Sequence, residues 1–314
     1  MFFDMLFDAL NATTPEQKRA RLNAFATRYK DTLESVSVLE SANILESSHI
    51  LKHHTAHSHS STKSAKELDS HILESSLESF AFLNDTNAPI YPLQSPSYAG
   101  FCTITHPTKI RRPKHIKSEQ SLAKVLHSIV HIEYSAIDLA LDAMYRFRGL
   151  PPSYYYDWLM VALEEELHFR LLRECLNGLG YEYGDFAVHS QLFDAQKATL
   201  RVDERMALLH RGLEANGLDA NPFVVRKVRE FEHTLTEKLL ESLDIILHDE
   251  ISHVKKGDKW WRYTSDSSSA QDFATLLRRF KQLGAMPRMM NIQARLQAGY
   301  TLDELKALQN ILPQ

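Results

Sequence analysis

The hydrophobic pattern changes character twice along the chain. Residues 2–30 carry apolar positions at helical spacing, interrupted near Thr13-Thr14-Pro15, and predict two amphipathic helices. Residues 31–88 lose that regularity. They are rich in Ser, His and Glu, repeat ILESS at 44–48 and 72–76, and hold His49, His53, His54, His57, His59 and His71. This texture predicts a low-complexity insertion, with weak metal capture by its histidines as the sharper reading. Residues 89–117 contain five prolines and the basic run Arg111-Arg112-Pro113-Lys114-His115-Ile116-Lys117. They predict extended chain leading into a core, the basic run being a solvated surface stretch or a contact for an acidic partner.

From Ser118 the periodicity is strong. Leu126, Ile129, Ile137, Ala140 and Met144 recur at three- and four-residue steps and predict a helix over about 118–147. Arg148-Gly149-Leu150-Pro151-Pro152 breaks it. A second helix is predicted over about 153–178, on Trp158, Ala162, Phe169, Leu172 and Leu176, and a third over about 194–216, ending at Asn216-Gly217. Pro222 starts a further helical stretch. Thr234-Leu235-Thr236-Glu237 has capping-box form and starts a helix that runs to about 263. Residues 264–269 read as a loop and 270–314 as two or three short helices. No credible strand pattern appears in the core, so the fold class is all-α. The chain divides into N-terminal helices (1–30), insert and linker (31–117), a four-helix bundle (118–263) and C-terminal helices packing on it (264–314).

Composition narrows the function classes only a little. The 314 residues are 44% hydrophobic and 24% charged with net charge -4, ordinary for a globular protein and without a global field to recruit nucleic acid or an anionic membrane. Two distant cysteines, Cys102 and Cys175, fit a reducing cytoplasm rather than a disulfide framework. Asp4 and Asp8 interrupt the N-terminal apolar run, which reads as an amphipathic helix rather than a signal peptide. No uncharged apolar stretch is long enough for a membrane span.

The histidines matter by placement. Glu-x-x-His occurs four times, and most weakly at Glu46/His49 in the insert and Glu230/His233 just before a helix start. Glu165/His168 and Glu250/His253 differ in kind. On a helix, residues three apart share a face, so each pair points a carboxylate and an imidazole together. Both pairs fall on apolar stripes: Trp158, Ala162 and Leu172 for the first; Leu239, Leu243, Ile246, Gly257 and Trp260 for the second. Glu133 interrupts the stripe of the first core helix. A carboxylate facing a core is costly unless it is paired or bound to a metal. Two such pairs, with one further Glu from each of two other helices, form the ligand set of a dinuclear carboxylate-bridged site in a four-helix bundle.

Spacing supports this. Glu133 and Glu165 are 32 residues apart with Gly149 at the midpoint, so an antiparallel hairpin puts them at one level. Glu214 and Glu250 are 36 apart. Glu214 lies three residues before Gly217, however, so the level works only if 218–232 continues the third helix after a kink. Glu204 is the alternative ligand. An acid precedes each pair: Asp249 is placed to accept from His168 and Glu164 from His253, as outer partners of metal-bound imidazoles. His210, on the Glu214 face, reads as an outer partner or a packed core residue. Tyr134 and Tyr145 read as cavity-lining or simply packed.

The runs HSIVHIEYSAIDLALDAMYRF, EEELHFRLLRECLNGLGYEYGDFAVHSQLF, RMALLHRGLEANGLDANP and ILHDEISHVKKGDKWWRY together resemble the ferritin-like domain-of-unknown-function 455 family. The resemblance is dense over 118–263 and looser in the N-terminal helix and AGYTLDEL. It implies a ferritin-like four-helix bundle with Glu133, Glu165, His168, Glu214, Glu250 and His253 as metal ligands. It favours Glu214 over Glu204, because LEANGLD matches the family's Leu-Glu-Ala-Arg-Gly-Leu-Asp. This chain departs at Asn216, where Arg is usual, at His210, where the pattern has Pro, and in the Ser/His-rich insert. More distantly it is similar to tRNA-modifying non-haem di-iron monooxygenases.

Hard carboxylates with imidazole suit Fe, with Mn as the alternative. The leading expectation is an oxidoreductase in which two Fe ions, bridged by Glu165 and Glu250, activate O2 to hydroxylate or desaturate an organic substrate, a small molecule or a modified nucleotide, with an electron-donor protein as partner. Metal handling by ferroxidase, storage or detoxification chemistry is the second expectation, and a non-catalytic helical interaction module the third. A monomer or dimer fits the long terminal additions better than a cage.

Overall fold

A computed structural model describes residues 1–50, 83, 89–111, 113–284 and 289–310, with the side chains of 36–50 excepted. The predicted first break is where expected: α1 spans Phe2–Leu10 and α2 starts at Pro15, the proline occupying a first-turn position where its missing N–H costs nothing. α2 then runs on to Ile50, well into the stretch that composition alone marks as low-complexity. The clustered histidines from His53 to His71 lie outside the described residues.

The core helices follow the sequence closely. α3 spans Glu119–Arg146 and α4 Pro152–Gly178. α3 begins at Ser118, whose side chain accepts from the Ser121 N–H. The two pack as an antiparallel hairpin across the short turn at Gly149, where φ of 72° suits glycine. After the loop at 181–190 come α5 (Gln191–Ala198) and α6 (Val202–Arg205). α8 spans Thr236–Thr264. Its predicted capping box does not form: the N-cap is Leu235, one residue after Thr234, without a side-chain cap, and the Thr236 hydroxyl accepts from the His233 N–H.

The third core helix departs most from expectation. It does not end at Gly217. From α6 the chain passes through π-helical turns over Met206–Leu213, marked by the bond from Glu214 N–H to the Leu209 carbonyl, and continues as α7 (Ala215–Arg229). Pro222 sits inside α7 rather than starting a new helix. The irregularity thus lies before Glu214, not after Gly217 where the spacing predicts a kink, and the helix runs on through Gly217. α7 and the π turns pack along α8, and α8 also packs on α4. Among the described residues there are no strands, only an isolated bridge between Ile104 and Val188. No helix among them is long and apolar enough to cross a membrane.

Outside the bundle, buried cations anchor the additions. Lys18 of α2 is buried against Asp138 of α3. α9 (Ala270–Arg279), α10 (Ile292–Gln297) and α11 (Leu302–Gln309) close the C-terminal side. Arg211, in the π turns, lies within 4.9 Å of the Trp261, Phe273 and Tyr300 rings and pairs with Asp258 and Glu304. A guanidinium suits this cage because it stacks flat on rings while its edge meets carboxylates.

α8 meets the π turns backbone to backbone at Gly257. A β-carbon there would lie 2.6 Å from the His210 carbonyl carbon and oxygen. Helix propensity alone favours Gly257→Ala by ~1 kcal/mol, whereas overpacking costs about 1–3 kcal/mol. Because the obstruction is backbone, overpacking wins. The expected outcome is a lower urea midpoint; an unchanged or raised midpoint refutes this crossing.

Candidate metal centre

Three core helices turn ligand-type atoms toward one point. Glu133 (α3), Glu165 and His168 (α4) and Glu250 (α8) each offer an atom within 4.8 Å of the others, and all four are buried. The i, i+3 spacing puts Glu165 and His168 on one stripe, while Glu166, one step round the helix, turns away from the cluster to Arg170 and Arg19. Glu165 is the shared centre. Its Oε1 lies 2.9 Å from His253 Nδ1, and its Oε2 is 3.6 Å from His168 Nδ1. Glu133 Oε2 approaches the same His168 nitrogen at 3.4 Å.

Glu214 lies on the His253 side of the cluster. Its Oε1 is 2.9 Å from His210 Nδ1, and its charge is felt by Glu250. Gly217, one turn on, leaves room for Glu250, whose Oε2 would sit 4.0 Å from a β-carbon there. Glu204, the alternative third-helix acid, is turned away and accepts from Arg279 at 2.7 Å. The two imidazoles are held from behind in crossed fashion. His168 Nε2 donates to Asp249 of α8 at 2.9 Å, and His253 Nε2 donates to Glu164 of α4 at 2.8 Å. Each ring thereby directs Nδ1 inward.

The other residues singled out by sequence do different things. The His210 ring lies against Trp158, centroids 4.0 Å apart, so it is both packed and bonded to Glu214. Tyr134 faces the other side of α3, its ring against Phe169, Tyr183 and Phe101. Tyr145 lies farther along, beside Phe7 and accepting from the Tyr91 N–H. Lys256, which reaches Glu164 at 3.5 Å, was not singled out; its three-residue step from His253 is the signal that would have found it.

Five buried atoms of this cluster find no hydrogen-bond partner in the protein: Glu133 Oε2, Glu165 Oε2, His168 Nδ1, Glu214 Oε2 and Glu250 Oε2. Such atoms are costly, and their convergence fits cations well. Carboxylate oxygen with imidazole nitrogen is a donor set for Fe, Mn or Zn rather than for a soft-metal site.

The electrostatics of the protein alone point the same way. Burial pushes Glu133 up to about 7 and raises Glu214 and Glu250 well above the usual carboxylate range. Burial also pushes on Glu165, but contacts with His168 and His253 hold it well below that range. Burial opposes the charge on His253, yet its bonds to Glu164 and Glu165 raise it to about 10.

The fold and this cluster define an all-α protein with a buried carboxylate–imidazole centre built from helix pairs. The chain belongs to the family described as protein of unknown function (DUF455), which matches residues 45–306 and so takes in the Ser/His-rich stretch as well. An uncharacterized protein of Haemophilus influenzae is 40% identical over 199 residues, spanning 60% of this chain and 68% of its own length. No solved structure matches the chain.

A pH dependence of cation binding follows. A carboxyl with a raised pKa keeps its proton below that value, and a cation must displace it. Binding of Fe(II) or Mn(II) therefore releases protons and weakens as pH falls through about 7, the value for Glu133. Titration calorimetry in two buffers of different ionisation enthalpy measures the release; proton-neutral binding refutes the charge assignment.

Proposed function

We propose that this protein is a non-haem di-iron oxidoreductase of ferritin-like type, which uses O2 to hydroxylate or desaturate an organic substrate. The observation that carries the reading is the convergence of four buried ligand groups from three helices within 4.8 Å, with unpartnered oxygens and an unpartnered nitrogen facing inward. In this reading Glu133 and His168 would hold one ion and Glu214 and His253 the other, with Glu165 and Glu250 placed to be shared between them. When bound there, two ferrous ions would supply the electrons and the binding positions for O2. The protein's own part is placement and insulation. Asp249 and Glu164 fix the imidazole tautomers, and the surrounding helices keep water from the carboxylates.

An arrangement with protein acids on both sides of each imidazole supports a centre that tolerates changes of charge. Six protein groups shared by two ions would leave each ion fewer protein donors than an octahedral ion takes, which supports catalysis over a purely structural role. The substrate class expected is a small molecule or a modified nucleotide, with an electron-donor protein as partner.

Iron loaded anaerobically should reach two per chain by metal analysis. Glu165→Ala and His253→Ala, which remove a bridge and a ligand, should abolish that stoichiometry. A double variant with unchanged iron content would sink the assignment. Asp249→Asn keeps the shape but weakens the acceptor behind His168. It should lower metal affinity by about 10–100-fold, the usual cost of losing such a partner, while leaving the helix content seen by circular dichroism intact. Affinity within twofold of the parent, ~0.4 kcal/mol, would show that the acid is incidental.

A further inference from the structure

One line of side chains leaves the cluster for the surface and has no part in holding metal. His210, bonded to Glu214, lies against Trp158 with centroids 4.0 Å apart. Trp158 meets Tyr154 at 6.2 Å, Tyr154 meets Trp260 at 5.1 Å, and Trp260 meets Tyr263 at 5.2 Å. Trp158 and Tyr154 are fully buried, whereas Tyr263 is 61% exposed. All four aromatic stations are Trp or Tyr, the side chains that yield an electron most readily among the aromatics. Two of the chain's three tryptophans lie on this path.

Hydrogen bonding grades the path. The Trp158 indole N–H is buried with no partner, and the Tyr154 hydroxyl donates only to the Ala143 carbonyl. Neither has a base to take its proton, so a positive charge formed on either is unstabilised. The Trp260 N–H donates to the Asp157 carboxylate at 2.8 Å, which favours positive charge on that ring. Lys259, 4.5 Å from the Trp260 centroid, opposes this, but it shares the same carboxylate at 2.7 Å. Tyr263 faces water, which can accept its phenolic proton.

The geometry points to a one-electron relay: Trp158, Tyr154, Trp260 and Tyr263 carry oxidising equivalents from the candidate metal centre to the surface when no substrate consumes them. This rests on the oxidoreductase reading above. In balance, the electron acceptor is the O2-charged site, and each electron moves inward by one station. Tyr263 finally loses one electron inward and its phenolic proton to water, leaving a neutral phenoxyl radical. A reductant of the thiol or ascorbate class returns the electron, and solvent the proton.

The test uses the full chain loaded with Fe(II) and exposed to O2 without substrate, in the presence of a spin trap, followed by peptide mass spectrometry. The expected adduct is on Tyr263, absent in the iron-free chain and in Tyr263→Phe. Trp158→Phe and Trp260→Phe keep an aromatic ring but remove the station. Each should reduce the Tyr263 adduct to the iron-free level, with iron content and O2 uptake unchanged. Trp260→Phe, farther along the path from the candidate ligands, guards against loss of iron in the core variant. Iron and O2 uptake intact with Tyr263 unlabelled overturns the relay alone. So does an adduct unchanged in Trp260→Phe, or labelling of Tyr134 or Tyr183 on the other side of α3 instead. A chain that takes up no iron overturns the oxidoreductase reading and the relay with it.

Discussion

A carboxylate in a helix bundle core must be neutralised, and much of this architecture answers that demand. Glu133, Glu165, Glu214 and Glu250 each bring a buried oxygen into one interior from four helical segments. Net folding stability is only about 5–15 kcal/mol and each unpaired buried charge costs several kcal/mol, so these carboxylates cannot all stay ionised and uncompensated. Two imidazoles supply part of the counter-charge, and burial of the remaining acids shifts their protonation. Behind them Asp249 and Glu164 tie α4 to α8 in both directions, so that each helix of the pair orients the other's histidine. The polar interior thus fixes which helix faces which, a task that interchangeable apolar contacts do poorly.

Around this centre the additions to the bundle are fastened by charge as well as by packing. Lys18 with Asp138 and Arg205 with Asp142 are both ion pairs on α3, buried at positions where an isolated cation would be expelled. The Arg211 cage joins the π turns to the C-terminal helices. Removing one member of such a pair leaves its partner stranded in low dielectric. The C-terminal helices are thereby coupled to the segment that carries His210 and Glu214.

Much of the fold is legible in the periodicity. α3 and α4 lie within a residue or two of where their apolar stripes put them, because Pro151, Pro152 and Gly149 leave little freedom for the turn. The Glu165/His168 and Glu250/His253 pairs stand out for the same reason: an acid on an apolar stripe contradicts its surroundings. The third helix was less legible. Asn216-Gly217 and Pro222 are helix-stopping residues by local propensity, yet packing along α8 carries the helix through them. A π turn has no compositional mark, since its signature is a shifted hydrogen bond and not a residue type. The capping box at 234–237 does not form because the helix takes Leu235, not Thr234, as its N-cap. The continuation of α2 to Ile50 shows that Ser- and Glu-rich sequence still accepts a helix.

The π turns have one consequence for how this helix can vary. An α-helix advances about 100° per residue, so one extra residue rotates everything downstream by roughly that angle. Before the turns, Glu204 is indexed to Arg279; after them, Asp219 holds Arg295. The two halves are thus set to different partners with a phase offset between them. A single-residue deletion inside Met206–Leu213 would restore a regular helix and yet could satisfy only one half. The irregular geometry acts as a spacer whose length is counted in residues, and its composition is freer to drift than its length.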